Sequence, residues 1–300
     1  MSEIKKRRGG CKKNLVAWLL ISPLLIILYI LVWRPTVIGG IWSLFKMNAY
    51  TPGNFVGLDN YIMVLSNSQF VPTLWNTVMY VVWSIVIGFL PPIAIAIMVN
   101  EMVHLKNFMR ITIYLPAVIP GIAAMLIWTK VYDPSSAGLL NMVLQRMGLA
   151  PYGWLDNPNF TIIGIVIYMT WSAFPGTMLL YYAALQGVST ELYEAAVIDG
   201  AGPMKRCRYV TLPQIASVLL INVVRQIIAV FQVMEQPLAM TDGGPNGAST
   251  SLAYQLYLYG FRSSGQRTGQ AMALGVIIFL ILIVLTAFYF WVNKKLENNN

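Results

Sequence analysis

The sequence predicts an all-α, polytopic membrane protein with six transmembrane helices. Three observations predict it. The 300 residues are 57% hydrophobic and 10% charged, against about 25% charged in soluble domains. The apolar residues gather in six runs, each long enough to cross a hydrocarbon core of about 30 Å, which takes roughly 20 helical residues. The runs do not alternate polar with apolar residues, so they do not read as barrel strands. Only helices then satisfy a lipid-exposed backbone from within.

Taken in order, the first span is placed at 15–33, after a basic tail at 1–14. Its apolar run is too long for a signal peptide and no small-x-small cleavage site follows, so it reads as an uncleaved helix. An aromatic outer segment, 34–72, holds a turn signal at Pro52-Gly53-Asn54. The second span, 73–99, contains Pro91-Pro92, and the third, 109–128, contains Pro116 and Pro120-Gly121. Segment 129–161 carries turns at Asp133-Pro134 and Asn157-Pro158. The fourth span, 162–185, is expected to kink at Pro175-Gly176, where proline frees a carbonyl. The fifth and sixth spans are placed at 213–233 and 271–292. Between them Asp242-Gly243-Gly244-Pro245-Asn246-Gly247 is the densest turn cluster in the chain. The bundle thus occupies 15–292, with a second tail at 293–300. The outer loops read either as packed surface or as a landing surface for an extracellular partner.

Charge sets the orientation. The formal charge is +9, from 20 basic and 11 acidic residues. Thirteen basic residues fall on one side: Lys5, Lys6, Arg7, Arg8, Lys12, Lys13, Lys106, Arg110, Lys205, Arg206, Arg208, Lys294 and Lys295. Arg34, Lys46, Lys130, Arg146, Arg262 and Arg267 fall on the other. The richer side is cytoplasmic, so both termini are expected there. The basic excess is then a topology signal, and nucleic acid is not an expected partner. Cys11 and Cys207 fall in cytoplasmic segments and read as reduced thiols. His104 has no partner cluster, so no metal site is expected.

Polar residues inside spans are costly, and the fifth span has a row of them. Asn222, Arg225, Gln232 and Gln236, with Ala229 between, follow a 3-4-3-4 spacing that places them on one helix face. Gln226 and Glu235 flank that face. The stripe reads either as a water-filled path whose amides and charge suit sugar hydroxyls, or as interhelical hydrogen bonding that holds the bundle. Arg225 reads as a gate or pathway residue, or as the partner of a carboxylate on another helix or subunit. Glu235 is expected near the outer rim. In the fourth span Tyr168, Trp171 or Ser172, Pro175 and Tyr182 share a face, fit either to stack on a sugar ring or to fill a core.

No phosphate-binding G-x-x-x-x-G-K-[ST] loop occurs, nor G-x-S-x-G, H-E-x-x-H or a paired-carboxylate arrangement. No catalytic residues are therefore assigned. Transport would draw on an ion gradient or on a partner that binds ATP.

The polar island between the fourth and fifth spans is built of helix signals. Ser189 or Thr190 suits an N-cap and Glu191 the first turn. Leu192, Ala195 and Ala196 give a small apolar face. Gly200 suits the left-handed position after a helix, and Pro203 the start of a second short helix. Pro213 suits the start of the fifth span in the same way. Two capped helices, at about 189–210, are more than a connecting loop requires.

The run Glu194-Ala195-Ala196-Val197-Ile198-Asp199-Gly200-Ala201, followed by Leu212-Pro213, resembles the E-A-A–G signature of ABC importer permeases. Met240-Thr241-Asp242-Gly243-Gly244-Pro245 with Ser249-Thr250, Ser22-Pro23 and Gly57-Leu58-Asp59-Asn60-Tyr61 are similar to carbohydrate-importer permeases of the maltose/glycerol-phosphate/multiple-sugar branch. The resemblance covers nearly the whole chain. It implies a MetI-like type I importer permease fold in a bacterial cell membrane. It implies that Glu194, Ala195, Ala196, Asp199, Gly200, Ala201, Leu212 and Pro213 couple to a cytoplasmic ATPase. It further implies a second homologous permease, two ATPase subunits holding ATP and magnesium, an extracellular solute-binding protein and a sugar or oligosaccharide cargo. This chain would hold no cofactor of its own. The maltose permease of that class has extra N-terminal spans and a large periplasmic loop that are missing here, so its maltose-site residues are not carried over. The contrasting expectation is a stand-alone secondary transporter or channel, which needs an ion-coupling carboxylate in the membrane and a symmetric repeat.

Overall fold

The computed structural model describes the backbone of residues 3–101 and 106–297, with side chains inside those ranges except at 3–15, 101, 106–107, 110, 292–293 and 295–297. His104 therefore lies outside the described residues, as do the side chains of Lys5, Lys6, Arg7, Arg8, Cys11, Lys12, Lys13, Lys106, Arg110 and Lys295. The chain divides into two compact units.

The first unit comprises Met1–Leu65 and Tyr259–Ile277. Helix α1 (Glu3–Leu28) runs through a π-helical turn, Tyr29–Trp33, into α2 (Arg34–Trp42). The apolar span is therefore Val16–Trp42, and none of its most apolar window is buried within the chain. The expected end at residue 33 is corrected, and Arg34 lies inside the helix. A hairpin follows, β1 (Phe45–Asn48) and β2 (Thr51–Phe55), antiparallel with Phe45 opposite Phe55. It turns at Ala49, whose φ is 55°. The turn expected at Pro52-Gly53-Asn54 is thus displaced, and those residues form β2. Gly53 is required there, because a Cβ would lie 2.8 Å from the Lys46 carbonyl. Helix α3 (Asp59–Leu65) opens on the Gly57–Tyr61 motif, whose role is local. The buried Asn60 donates to the carbonyls of Ser43 (2.8 Å) and Phe45 (2.9 Å), and Tyr61 pairs with the Ser43 hydroxyl at 2.6 Å.

The second unit comprises Ser66–Leu258 and Ile278–Asn300. Helices α4 (Phe70–Trp83) and α5 (Leu90–Glu101) form one span through a π-helical turn at Ser84–Phe89. Helices α6 (Lys106–Val118) and α7 (Gly121–Val131) are bent by 102° at the break between them. The third span, expected as one run over 109–128, is thus two helices that meet at Pro120-Gly121. Pro120 lacks an N–H and pushes the preceding residue out of the helical region, and its own ψ of 134° is extended. The chain then forms α8 (Leu139–Arg146), α9 (Pro158–Gln186), α10 (Thr190–Ile198), α11 (Pro203–Arg206), α12 (Leu212–Phe231), α13 (Glu235–Met240) and α14 (Leu252–Tyr257). The last helix, α15 (Thr268–Glu297), passes from one unit to the other. Five helices are long and apolar enough to span a membrane, or six with the bent pair counted as one. The all-α class stands, with the hairpin as the exception among the described residues.

Proline explains three of the four π-helical turns among the described residues; the fourth, Leu258–Arg262, has none after it. Three of them end two residues before a proline: Trp33 before Pro35, Phe89 before Pro91, and Thr211 before Pro213. A proline removes one α-helical donor and crowds the preceding turn. Widening that turn lets carbonyls reach donors one residue further along, as Leu212 N–H does to Cys207 O. The helix therefore stays unbroken. The expected separation of Pro213's span from the short helix at Pro203 is corrected: Pro203–Phe231 is one continuous span. Helix α9 likewise runs unbroken through the buried Pro175.

Helix α9 is the hub of the second unit and touches α4, α5, α6, α7, α12 and α13. Its N-terminal half enters a core with Tyr80, Met125, Tyr132 and Val230. Its C-terminal half enters another with Ile93, Ala96, Val99 and Ile215. Lipid is as apolar as leucine, so packing and interhelical hydrogen bonds, not water exclusion, hold such helices together.

Candidate functional site: a coupling segment, a polar cavity and an outer turn

Three places gather the residues singled out by sequence. The first is the segment from Ser189 to Pro213. Ser189 is the N-cap of α10 and accepts from the Glu191 N–H at 3.2 Å. At the other end Asp199 is the C-cap, and Gly200 adopts φ 74°. Ala201 N–H reaches Ala196 O at 2.8 Å and Gly200 N–H reaches Val197 O at 3.0 Å. Those two bonds are a complete Schellman motif. Glu194, Ala195 and Asp199 are exposed on the helix so framed. Apolar side chains are exposed beside them: Ile198 is 85% exposed and Met204 80%. Leu212 is half-buried and Pro213 exposed. Tyr193 ties α10 to the foot of the next span, pairing with the buried Thr211 hydroxyl at 3.0 Å. Sequence reasoning missed that tie. A tyrosine facing back from a four-residue-periodic helix and a threonine before a proline are its only signals.

The second place is a cavity of about 210 Å³ against the middle of α9, between its two cores. Its lining includes Gly88, Thr170, Thr177, Asn222, Arg225 and Gln226. That volume is below the roughly 300–1,000 Å³ of whole ligand sites. Asn222 is buried and donates to the Tyr181 hydroxyl at 2.6 Å. Gln226 donates to the Ser84 carbonyl at 2.5 Å, and Thr170 donates to Val166 O at 2.8 Å. Such ties are worth about 1 kcal/mol each in a bundle, so these two amides act first as interhelical bonds. Gly88 makes room for them, since a Cβ would lie 2.7 Å from Gln226 Nε2. Arg225 is different. It is exposed on the cavity wall and has no hydrogen bond or ion pair among the described residues.

The expected stripe does not extend beyond this point. Helix α12 ends at Phe231, with Gln232 as its C-cap at φ −99°, and Met234 leaves the helical region at φ −134°. Gln232 and Glu235 are exposed outside the helix, and Glu235 and Gln236 start α13. The helical spacing that united them with Asn222 and Arg225 is broken by that turn. In the fourth span Tyr168 is buried, donating to Gly121 O at 3.2 Å. Its ring and that of the half-buried Trp171 lie 6.1 and 5.6 Å from Trp128. They belong to an aromatic core, and neither lines the cavity.

The third place is the outer turn. Asp242, Gly243, Asn246 and Gly247 all have positive φ, from 49° to 83°, and Gly244-Pro245 is cis. Asp242 accepts from the Tyr254 hydroxyl at 2.5 Å. A Cβ on Gly243 would lie 2.8 Å from Thr250 Oγ1 and 3.0 Å from Tyr254. Ser249, Thr250 and Ser251 are buried. Asn76 donates to the carbonyls of Gly247 (2.9 Å) and Thr250 (3.1 Å), Tyr80 to Ser249 O (3.0 Å), and Leu252 N–H to Thr77 Oγ1 (2.9 Å). The turn is thus locked onto α4. The neighbouring loop has its own hub. Buried Asn141 donates to the carbonyls of Asp133, Pro134, Ser135 and Tyr152 and accepts from Tyr152 N–H and the Trp154 indole. The Asp133 carboxyl at its edge is held below the ordinary range by hydrogen bonds from Ser135.

A helical bundle with a capped polar segment at one end and a locked outer turn at the other defines a membrane permease component. The chain belongs to the family described as binding-protein-dependent transport system inner membrane component, which matches residues 93–298. Among its relatives is the trehalose/maltose transport system permease protein MalF of Thermococcus litoralis, 31% identical over 281 residues, or 93% of this chain and 94% of the relative. The sn-glycerol-3-phosphate transport system permease protein UgpA of Escherichia coli O157:H7 is 33% identical over 297 residues, covering 93% and 95%. The fold matches a crystal structure of a bacterial ABC transporter involved in the import of alginate, with a TM-score of 0.84 over 97% of this chain and 99% of that one, at 21% identity. A second such structure was solved with an alginate pentasaccharide-bound periplasmic protein.

Proposed function

We propose that this chain is one permease subunit of an ATP-driven, binding-protein-dependent ABC importer for a sugar or oligosaccharide. A second homologous permease completes the pathway. Two ATPase subunits on the cytoplasmic side hold ATP and magnesium, so this chain needs no cofactor. An extracellular solute-binding protein delivers the cargo to the outer loops, including Asp242–Pro245. Both termini are cytoplasmic. The relatives that span nearly the whole chain and carry sugar-transport names support the cargo class.

The observation that carries the mechanism is the form of α10. Its caps satisfy its own backbone ends, its outer surface is exposed, and Tyr193 ties it to the span above. A rigid rod with an open apolar surface is what a cleft in a moving partner can grip. Closure of that cleft would push α10 and, through the continuous helix Pro203–Phe231, turn the wall that carries Asn222, Arg225 and Gln226. Glu194, Ala195, Ala196, Asp199, Gly200, Ala201, Leu212 and Pro213 form this coupling element. A carrier driven by an ion gradient is disfavoured, because no carboxylate is buried among the described residues.

The test is uptake by the reconstituted importer. Glu194→Ala and Gly200→Val are each expected to lower ATP-driven uptake at least about tenfold, equivalent to roughly 1.4 kcal/mol of coupling. Subunit recovery should stay normal. Full uptake in both variants would overturn the coupling assignment.

A further inference from the structure

We infer that the cargo is anionic, a sugar that carries a carboxylate or phosphate, and that Arg225 is the residue that selects it. This rests on the proposed importer function and narrows it. Arg225 is the one charged group among the residues lining the α9 cavity. Three neighbours on that wall each spend a donor on the bundle: Asn222 on Tyr181, Gln226 on Ser84, and Thr170 on Val166. Arg225 is committed to nothing among the described residues, and it is exposed to the cavity.

A charge at this depth is expensive unless something answers it. An arginine that only bonded helices would be held as Asn222, one turn before it, and Gln226, the next residue, are held. A guanidinium presents a planar fork that matches carboxylate or phosphate with two parallel hydrogen bonds. A neutral sugar offers it only single hydroxyl acceptors and leaves the charge unneutralised. With no acidic side chain on the lining, the cavity wall carries one uncompensated positive charge. Such a wall favours an anion and gives little to a neutral sugar.

The test uses the complete importer in proteoliposomes with its own binding protein. Uptake is measured for matched probes: galacturonate against galactose, digalacturonate against digalactose, and glycerol 3-phosphate against glycerol. The wild type should take up at least one acidic probe and exclude its neutral counterpart. Arg225→Gln should lower that uptake at least about tenfold, while Arg225→Lys retains part of it, and binding-protein stimulation of ATP hydrolysis should persist in both. Comparing uronate with phosphate identifies which anion is meant. Uptake of neutral probes alone, or acidic uptake unchanged in Arg225→Gln, would overturn the inference and leave the importer intact. Equal loss of every probe together with poor recovery of the second permease would also overturn it, assigning Arg225 to a carboxylate across the subunit interface. If the wild type takes up no sugar at all, the importer reading itself fails.

Discussion

The segment at Ser189–Pro213 and the outer turn at Gln232–Tyr254 have similar sequences: short helices, glycines and polar residues between apolar spans. They are built in opposite ways. The first satisfies its backbone from within, through Ser189 and the Schellman pair at Gly200, and leaves its side chains exposed. The second hands its backbone to neighbours, through Asn76, Thr77 and Tyr80, and buries Ser249, Thr250 and Ser251. A self-sufficient rod is free to move as a unit and to be gripped. A turn wired into α4 is part of the frame. The same composition gives a self-contained helix in one place and a turn wired to its neighbours in the other.

Substitution at glycine separates the two most sharply. Gly243 has φ 82° and two close neighbours, Thr250 and Tyr254. Gly243→Val meets left-handed strain of roughly 1–2 kcal/mol and overpacking of about 1–3 kcal/mol. Loss of recoverable folded complex is the expected result. Gly200 has φ 74°, but a Cβ there would meet nothing within 4 Å. Gly200→Ala is expected to cost only the strain, about 1 kcal/mol, with thermal stability near normal and uptake reduced. Gly200→Asn, which tolerates that conformation, should recover uptake. A Gly200→Ala complex that unfolds as readily as Gly243→Val would erase the contrast.

The frame can also be tested without changing volume. Thr77→Val keeps the shape and removes the acceptor for the buried Leu252 N–H. An unsatisfied buried donor costs about 1–3 kcal/mol. A lowered melting temperature is expected, with uptake per folded complex unchanged.

The sequence carried the parts of this design that depend on neighbours along the chain. The apolar runs, Ser189, Gly200 and Pro203 were legible, because caps and spans are decided within a few residues, whereas Asn157-Pro158, expected as a turn, is the cap and first residue of α9. What depends on distant residues was not. Whether Pro120 breaks a span while Pro91, Pro175 and Pro213 do not is decided by whether the preceding turn widens or the neighbours hold it. The stripe from Asn222 to Gln236 assumed a helix that ends at Phe231. The burial of Ser249–Ser251 and the hub at Asn141 come from partners up to 174 residues away in the first case and from a loop that folds on itself in the second. No local pattern distinguishes them from surface polar residues.

The smallest effect tests the link between rod and frame. Tyr193 and Thr211 meet through one hydrogen bond, at the π-helical turn where α11 becomes α12. Tyr193→Phe removes a bond worth about 1 kcal/mol and leaves the ring in place. Thr211 keeps a second partner in the Arg206 carbonyl at 3.4 Å, so the buried hydroxyl is not stranded. Stability should therefore hardly change. If α10 drives the span through this contact, ATP hydrolysis stimulated by the binding protein should continue while less cargo moves per ATP. A measured ratio of uptake to hydrolysis that falls in Tyr193→Phe, and falls no further in the double variant with Thr211→Val, would place the two residues on one path. An unchanged ratio would mean that α10 moves the bundle through the backbone at Gly200–Pro203 alone.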